Sequence, residues 1–143
     1  MATKIPYNHE LDFEYGRVDA LTPLIRRVIA NNPSAFTFHG TGTYIVGHGQ
    51  VAIVDPGPDL AEHVDALLDA IRGETVSHIL VTHTHNDHSP AVKAVQAATG
   101  APSYAYGPHG TRPEDGASEG GADYDFSPDH LIDDGDVVTG NGW

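Results

Sequence analysis

Cysteine is missing from this chain, methionine and tryptophan occur once each, and seven lysines and arginines stand against twenty aspartates and glutamates. Each shortage removes a class of function. Without thiols there is no disulfide framework, no thiolate metal cluster and no cysteine nucleophile. At a formal net charge of −13, overall electrostatics give no grip on nucleic acid or on an anionic membrane. No run approaches the roughly eighteen apolar residues needed to span a bilayer. Residues 1–16 show neither the basic start nor the apolar stretch of a secretory signal. The expectation is a soluble, cytoplasmic protein. What is present is 143 residues, 39 % of them hydrophobic and 16 of them glycine, enough for one core of ordinary size. The surplus is in histidine, of which there are ten.

Residues 1–16 read as an irregular lead-in and 17–143 as one domain. Apolar side chains at 21, 24, 25, 28 and 29 have helical spacing, but Pro23 interrupts them and Asn31-Asn32-Pro33 ends them, so helix and strand both stay open. Residues 35–38, 43–46 and 51–54 are aromatic and β-branched runs separated by glycine and read as strands. A tight hairpin at His48-Gly49 would join the last two. Asp59 reads as an N-cap with Glu62 closing a capping box. The helix that follows has its apolar stripe at Leu60, Val64, Leu67, Leu68 and Ile71 and its stop at Gly73. Residues 76–81 are an almost continuous apolar run, as in a strand covered on both faces. Ser89-Pro90 opens a second helix through Val92 and Val95 to Gly100, and 102–106 is the next strand. From 107 to 127 the composition collapses into Gly, Pro, Asp, Glu and Ser, an aperiodic loop. Residues 131–138 then read as a short strand, a turn and the start of another strand. A β meander followed by alternating strands and helices is an α/β layered domain with a mixed sheet.

The chemistry is concentrated in Thr82-His83-Thr84-His85-Asn86-Asp87-His88, where four metal-ligand side chains share six positions. The motif lies where a buried strand gives way to a helix, the place at which open α/β sheets put their ligand sites. In an extended strand end His83 and His85 point to the same side, because side chains repeat every second residue. Two imidazoles so presented can share one cation, and Asp87 and His88, farther round the turn, can hold a second. Imidazole and carboxylate without thiolate suit Zn²⁺, Mn²⁺ or Fe. Such an ion lowers the pKa of bound water towards about 7 and supplies hydroxide at neutral pH. Occupancy should then fall as pH drops through the imidazole range near 6.5. A histidine-rich turn that merely caps a helix has no need of three imidazoles.

His83-x-His85-x-Asp87-His88 after the apolar strand Ile79-Leu80-Val81 resembles the signature of the metallo-β-lactamase superfamily. Thr43-Tyr44-Ile45-Val46-Gly47 is similar to an opening strand of that family, and Val51 to Asp55-Pro56-Gly57 to a strand with its Asp-x-Gly turn. Ala98 to Pro102 and Leu131 to Asp136 fit later segments, so the resemblance covers residues 24–143. The run Asp55 to Asp59, with Ser89-Pro90, is most similar to the branch of β-lactamase-like endoribonucleases and hydroxyacylglutathione-hydrolase-like enzymes.

The resemblance implies the N-terminal half of an αβ/βα sandwich and a hydrolase whose metal-bound hydroxide attacks an ester, thioester, amide or phosphodiester. His83 and His85 would be ligands of a first metal site and Asp87 and His88 of a second, for one or two Zn²⁺ ions, with Mn²⁺ or Fe as alternatives. Asp87 would also orient the attacking water. Asp55 would lie beneath the site and fix an imidazole or the metal-bearing loop, although a plain turn-forming role before Pro56-Gly57 fits it as well. The family completes its sites with a third histidine in a His-x-x-Gly-His segment, a bridging aspartate and a final histidine, and none of these follows in the 143 residues. The expectation is therefore a partial domain with incomplete sites. The alternative is an inactive metal-binding half-domain that needs a partner chain, a second copy or a C-terminal half. The expected substrate is a small ester- or thioester-type molecule or RNA; RNA is the weaker choice because the few basic residues do not cluster, and nothing selects thioester over ester, lactam or phosphodiester. His109 and His130 flank the long loop without the motif, and His9, His39, His48, His63 and His78 are scattered; these read as packing or surface residues, with His109 set apart because it follows a strand on the expected side of the site.

Overall fold

The structure, a computed structural model, describes residues 8–111 and 121–143. Seven strands form one mixed sheet in chain order: β1 (Val18–Ala20), β2 (Ile25–Ile29), β3 (Gly42–His48), β4 (Gln50–Val54), β5 (Thr75–Leu80), β6 (Ser103–Ala105) and β7 (His130–Leu131). β1 to β4 run antiparallel and β4 to β7 parallel. The two parallel crossovers carry α1 (Ala61–Ala70) and α2 (Val92–Thr99). Both step the same way across the sheet, so the right-handed crossover rule puts both helices on one face, where they touch each other and α2 meets β5.

Strand alternation shows which face that is. In β3, Thr43, Ile45 and Gly47 are buried while Tyr44 and His48 are exposed. Ile45, Ile53 and Ile79 are paired neighbours on β3, β4 and β5 and are all fully buried. They meet Leu67 and Ile71 of α1 and Val92 and Val95 of α2 in the core. The opposite face, with Tyr44, Val46, Val54, Leu80 and Tyr104, stays exposed or half-buried. Trp143 covers part of it, its ring centroid 5.3 Å from that of His78 in an edge-on arrangement and its indole N–H donating to the Gln50 carbonyl at 3.1 Å.

Several local expectations change. Residues 25–29 resolve as strand, because pairing to β3 outweighs the helical spacing. Residues 35–38 are a turn and not a strand: the Ser34 hydroxyl accepts from the Phe36 and Thr37 backbone N–H groups, and Phe38 takes φ 57. Asp59 does not cap α1; Leu60 is the N-cap and no side chain caps the helix. Ser89 does not cap α2 either, for Ala91 is the N-cap and the Ser89 hydroxyl donates to the Asp123 carboxylate at 2.5 Å. Gly100 ends α2 in the left-handed region, as its position suggested. The β3–β4 hairpin is tighter than a two-residue tip, with only Gly49 between the paired His48 and Gln50. Past β7 the chain forms a turn, with no second strand among the described residues. The stretch 112–120 of the long loop lies outside the described residues.

The lead-in, irregular as expected over residues 8–16, docks on the loop between β2 and β3. Tyr15 donates its hydroxyl proton to the His39 carbonyl at 2.8 Å, and the Phe13 ring lies 4.7 Å from that of His39.

Candidate metal centre

β5 delivers the His83–His88 turn to the sheet's carboxyl end, beside the turn that follows β4. The two turns are stitched together by backbone bonds, Asp55 N–H to Leu80 O at 2.8 Å, Gly57 N–H to His88 O at 2.9 Å and Ala91 N–H to Gly57 O at 3.0 Å. The motif's four side chains converge. One ligand atom from each of His83, His85 and Asp87 lies within 4.8 Å of the others. The His88 ring sits 4.0 Å from that of His83, and His88 Nε2 is 3.1 Å from Asp87 Oδ2. Asp87 thus lies near both the strand-end histidines and His88.

Asp55 lies directly under this group. It is buried and takes φ 49, a left-handed conformation rare for a non-glycine residue. Its Oδ1 accepts the Thr82 N–H at 2.8 Å, and its Oδ2 accepts the Thr82 hydroxyl at 2.7 Å and His88 Nδ1 at 2.9 Å. These bonds fix proton positions. A carboxylate only accepts, so His88 carries its proton on Nδ1. The Thr82 hydroxyl has given its own proton to Asp55, so at 3.1 Å it accepts from His83 Nδ1. His83 is left with a bare Nε2, the atom a metal ion takes, while His88 Nε2 faces Asp87 Oδ2 at 3.1 Å.

The charges agree. Burial opposes ionisation of Asp55, but the bonds from His88 and Thr82 outweigh it and hold the carboxyl below its usual range. Burial likewise disfavours charged His88, yet Asp55 and then Asp87 raise its pKa above 6.5. His83 is pushed down, by burial first and then by the neighbouring His88 and His85.

Sequence reasoning missed two residues that hold Asp87. The Thr41 hydroxyl donates to Asp87 Oδ2 at 3.2 Å. Asn32 brackets Thr41, its Oδ1 accepting the Thr41 N–H at 2.8 Å and its Nδ2 donating to the hydroxyl at 3.0 Å. Asn32 was legible only as a helix or strand terminator. His109 stands beside the site: its Nδ1 is 2.8 Å from the Thr84 hydroxyl and its ring is 6.2 Å from that of His85. A cleft of about 720 Å³ opens over the motif, with Phe36 and Pro58 at its sides and Gly121 across from them.

A mixed sheet with both helices on one face and a His-x-His-x-Asp-His turn at its carboxyl end defines a metallo-β-lactamase-type domain. The family model described as the metallo-beta-lactamase superfamily matches residues 37–143, and the chain belongs to that superfamily. An atrochrysone carboxyl ACP thioesterase of Passalora fulva is 41% identical over 78 residues, 52% of this chain and 23% of that protein. A thioesterase of the same name from Aspergillus terreus is also 41% identical over 78 residues and is covered to 24%. The chain thus spans about a quarter of the length of these curated relatives. Among solved structures, a subclass B3 metallo-beta-lactamase of Bradyrhizobium japonicum superposes with a TM-score of 0.65 at 20% identity, over 87% of this chain and 48% of that one. A metallo-beta-lactamase of Cronobacter sakazakii gives 0.62 at 17% identity, over 84% and 48%. These neighbours share the fold.

Proposed function

We propose that this chain carries the metal-binding part of a metallo-β-lactamase-fold hydrolase acting on acyl thioesters. The observation that carries the reading is the convergence of His83, His85 and Asp87, one ligand atom of each within 4.8 Å of the others, with His88 beside them. His88 Nε2 and Asp87 Oδ2 lie 3.1 Å apart. Such a contact is favourable only with a cation shared between them, a proton on the ring or a metal ion beside it. The donor set of imidazoles and carboxylate fits Zn²⁺, with Mn²⁺ or Fe as the other candidates.

His83, His85, Asp87 and His88 would hold the ion. When bound, it supplies Lewis acidity and acidifies water at neutral pH. Asp55 keeps the His88 ring aimed directly and the His83 ring through Thr82, which requires its own charge and its three bonds. Asp87, pinned by Thr41, orients the attacking water and receives its proton. The exposed ring of Phe36 and Pro58 give the cleft an apolar side against which an acyl group can lie.

The thioester reading is supported by the thioesterase names of relatives that are 41% identical in this region. RNA is disfavoured by the charge of −13. The test is hydrolysis of an acyl-thioester panel by the protein with Zn²⁺ or Mn²⁺ restored, beside an ester, a β-lactam and a phosphodiester. Thioester turnover that His85→Ala abolishes is the expected result. Turnover indifferent to His85→Ala, or a preference for the phosphodiester, contradicts it.

A second reading is a metal-binding portion that is inactive until further chain completes it. The coverage of under half of the solved neighbours favours it. Tight ion binding with no turnover of any ester class distinguishes this reading from the first.

A further inference from the structure

Among the scattered histidines, which sequence alone assigns to packing, His63 stands apart. It lies on α1, outside the metal motif, and is 2 % exposed. Its Nε2 is 2.9 Å from the hydroxyl of Thr43, itself fully buried on the helix-covered face of β3. That hydroxyl donates to the backbone carbonyl of Asp55 at 2.7 Å. Thr43 has one hydroxyl proton and the carbonyl only accepts, so the proton between Thr43 and His63 belongs to His63 Nε2. The ring is thereby a neutral Nε2–H tautomer whose Nδ1 is buried without a hydrogen-bond partner. A buried bare nitrogen has a cost that simple packing would avoid with an apolar residue. The turn above makes room for the ring: Gly57 has φ +93, and a Cβ there would lie 3.0 Å from His63 Nε2 and 3.3 Å from Cδ2.

We propose that His63 is a positioning residue of the metal centre, acting through Thr43 on the backbone of Asp55. Asp55 is held at φ 49, a conformation that a residue with a Cβ keeps only under constraint. Its carboxylate faces upward to Thr82 and His88, and its carbonyl is fixed from below by Thr43 and His63. Releasing the carbonyl lets the peptide relax and turns the carboxylate off His88 Nδ1. The His88 ring then loses the bond that holds its proton on Nδ1. Thus a residue on the far side of the β4 turn sets the tautomer of a ligand it never touches. The proposal rests on the metal-centre reading given above.

The test uses the full chain and has two arms. In the first, ¹⁵N-edited imidazole spectra of the metal-free protein are recorded at about pH 8.5, where an ordinary imidazole is neutral. Wild type should show His63 as Nε2–H and His88 as Nδ1–H. Thr43→Val, which replaces the hydroxyl by a methyl, should give His88 as a mixture of tautomers, and Thr43→Ser should restore it. In the second arm, Zn²⁺ affinity is measured against a competing chelator. Thr43→Val should bind about 10–100-fold more weakly, the usual loss when a ligand's supporting bond is removed, with Thr43→Ser near wild type. If Thr43→Val does not fold, His63→Gln, which keeps an N–H donor, is compared with His63→Leu; only the glutamine variant should hold His88 as Nδ1–H.

Wild-type His63 found as Nδ1–H overturns the inference. So does a folded Thr43→Val with unchanged His88 tautomer and zinc affinity beside a zinc-binding wild type. A wild type that binds no zinc overturns the metal-centre reading instead, while the tautomer arm still decides whether His63 positions His88.

Discussion

The Asp55 carboxylate sets the proton positions of two histidines with a single oxygen, accepting from His88 directly and from His83 by way of the Thr82 hydroxyl. Asp55→Asn keeps a side chain that tolerates the left-handed backbone but removes the charge and adds a donor. Zinc affinity measured by chelator competition should fall about 10–100-fold; an unchanged affinity would leave Asp55 as a turn-former only. A second expectation concerns pH. Burial holds His63 below its ordinary 6.5, only partly countered by the Pro56 carbonyl and the Glu62 charge. Between that depressed value and 6.5 the unfolded chain binds a proton that the native ring refuses, so stability falls as pH drops through about 6.5. His83 and His78 are shifted in the same direction and add to the loss, whereas His88 opposes it. Urea midpoints of the metal-free protein should therefore decline from about pH 7.5 to 5.5, and less steeply in His63→Gln. An equal slope in both proteins contradicts a neutral buried His63. The four motif side chains were legible because four ligand-type residues share six positions at a strand end. Asn32, Thr41 and His63 were not, since tertiary folding places them and nothing local marks them.

The hairpin of β3 and β4, the two helices and the strand between them announce themselves in periodicity and in glycine placement. The helix starts did not follow their cap signals. Ser89 lies against Asp123, 34 positions later in sequence, and that buried bond outcompetes the local N-cap geometry. The aromatic run around Phe36 failed as a strand because Ser34 offered its backbone N–H groups a nearer acceptor. Gly57 and Gly100 give a test of how the turns are used. Both have positive φ, but a Cβ at Gly100 meets nothing within 4 Å while one at Gly57 meets the His63 ring. Gly100→Ala should cost about 1–2 kcal/mol from backbone strain alone. Gly57→Ala should cost more and should also weaken zinc binding, which Gly100→Ala leaves unchanged. Chemical denaturation and zinc titration of both variants check this, and equal costs would mean the Gly57–His63 contact yields freely.

Across the molecule, the helices and core occupy one side of the sheet while the metal centre crowns its carboxyl end, where the β4 and β5 turns meet. Family and fold class were readable from the motif and its flanking strands, and the match over residues 37–143 agrees. The curvature of the site was not: that Asp87 would join His83 and His85 depends on Thr41 reaching across from the start of β3. Substrate class draws on relatives of which the chain spans about a quarter, so the metal centre is the part of the account this chain can test by itself. The direct measurement is the zinc content and affinity of purified wild type and of His85→Ala, by equilibrium dialysis with elemental analysis. Stoichiometric, chelator-reversible binding that raises the unfolding temperature of wild type and is lost in His85→Ala is the expected result. Weak, non-stoichiometric binding by wild type, or binding that His85→Ala leaves intact, would contradict it.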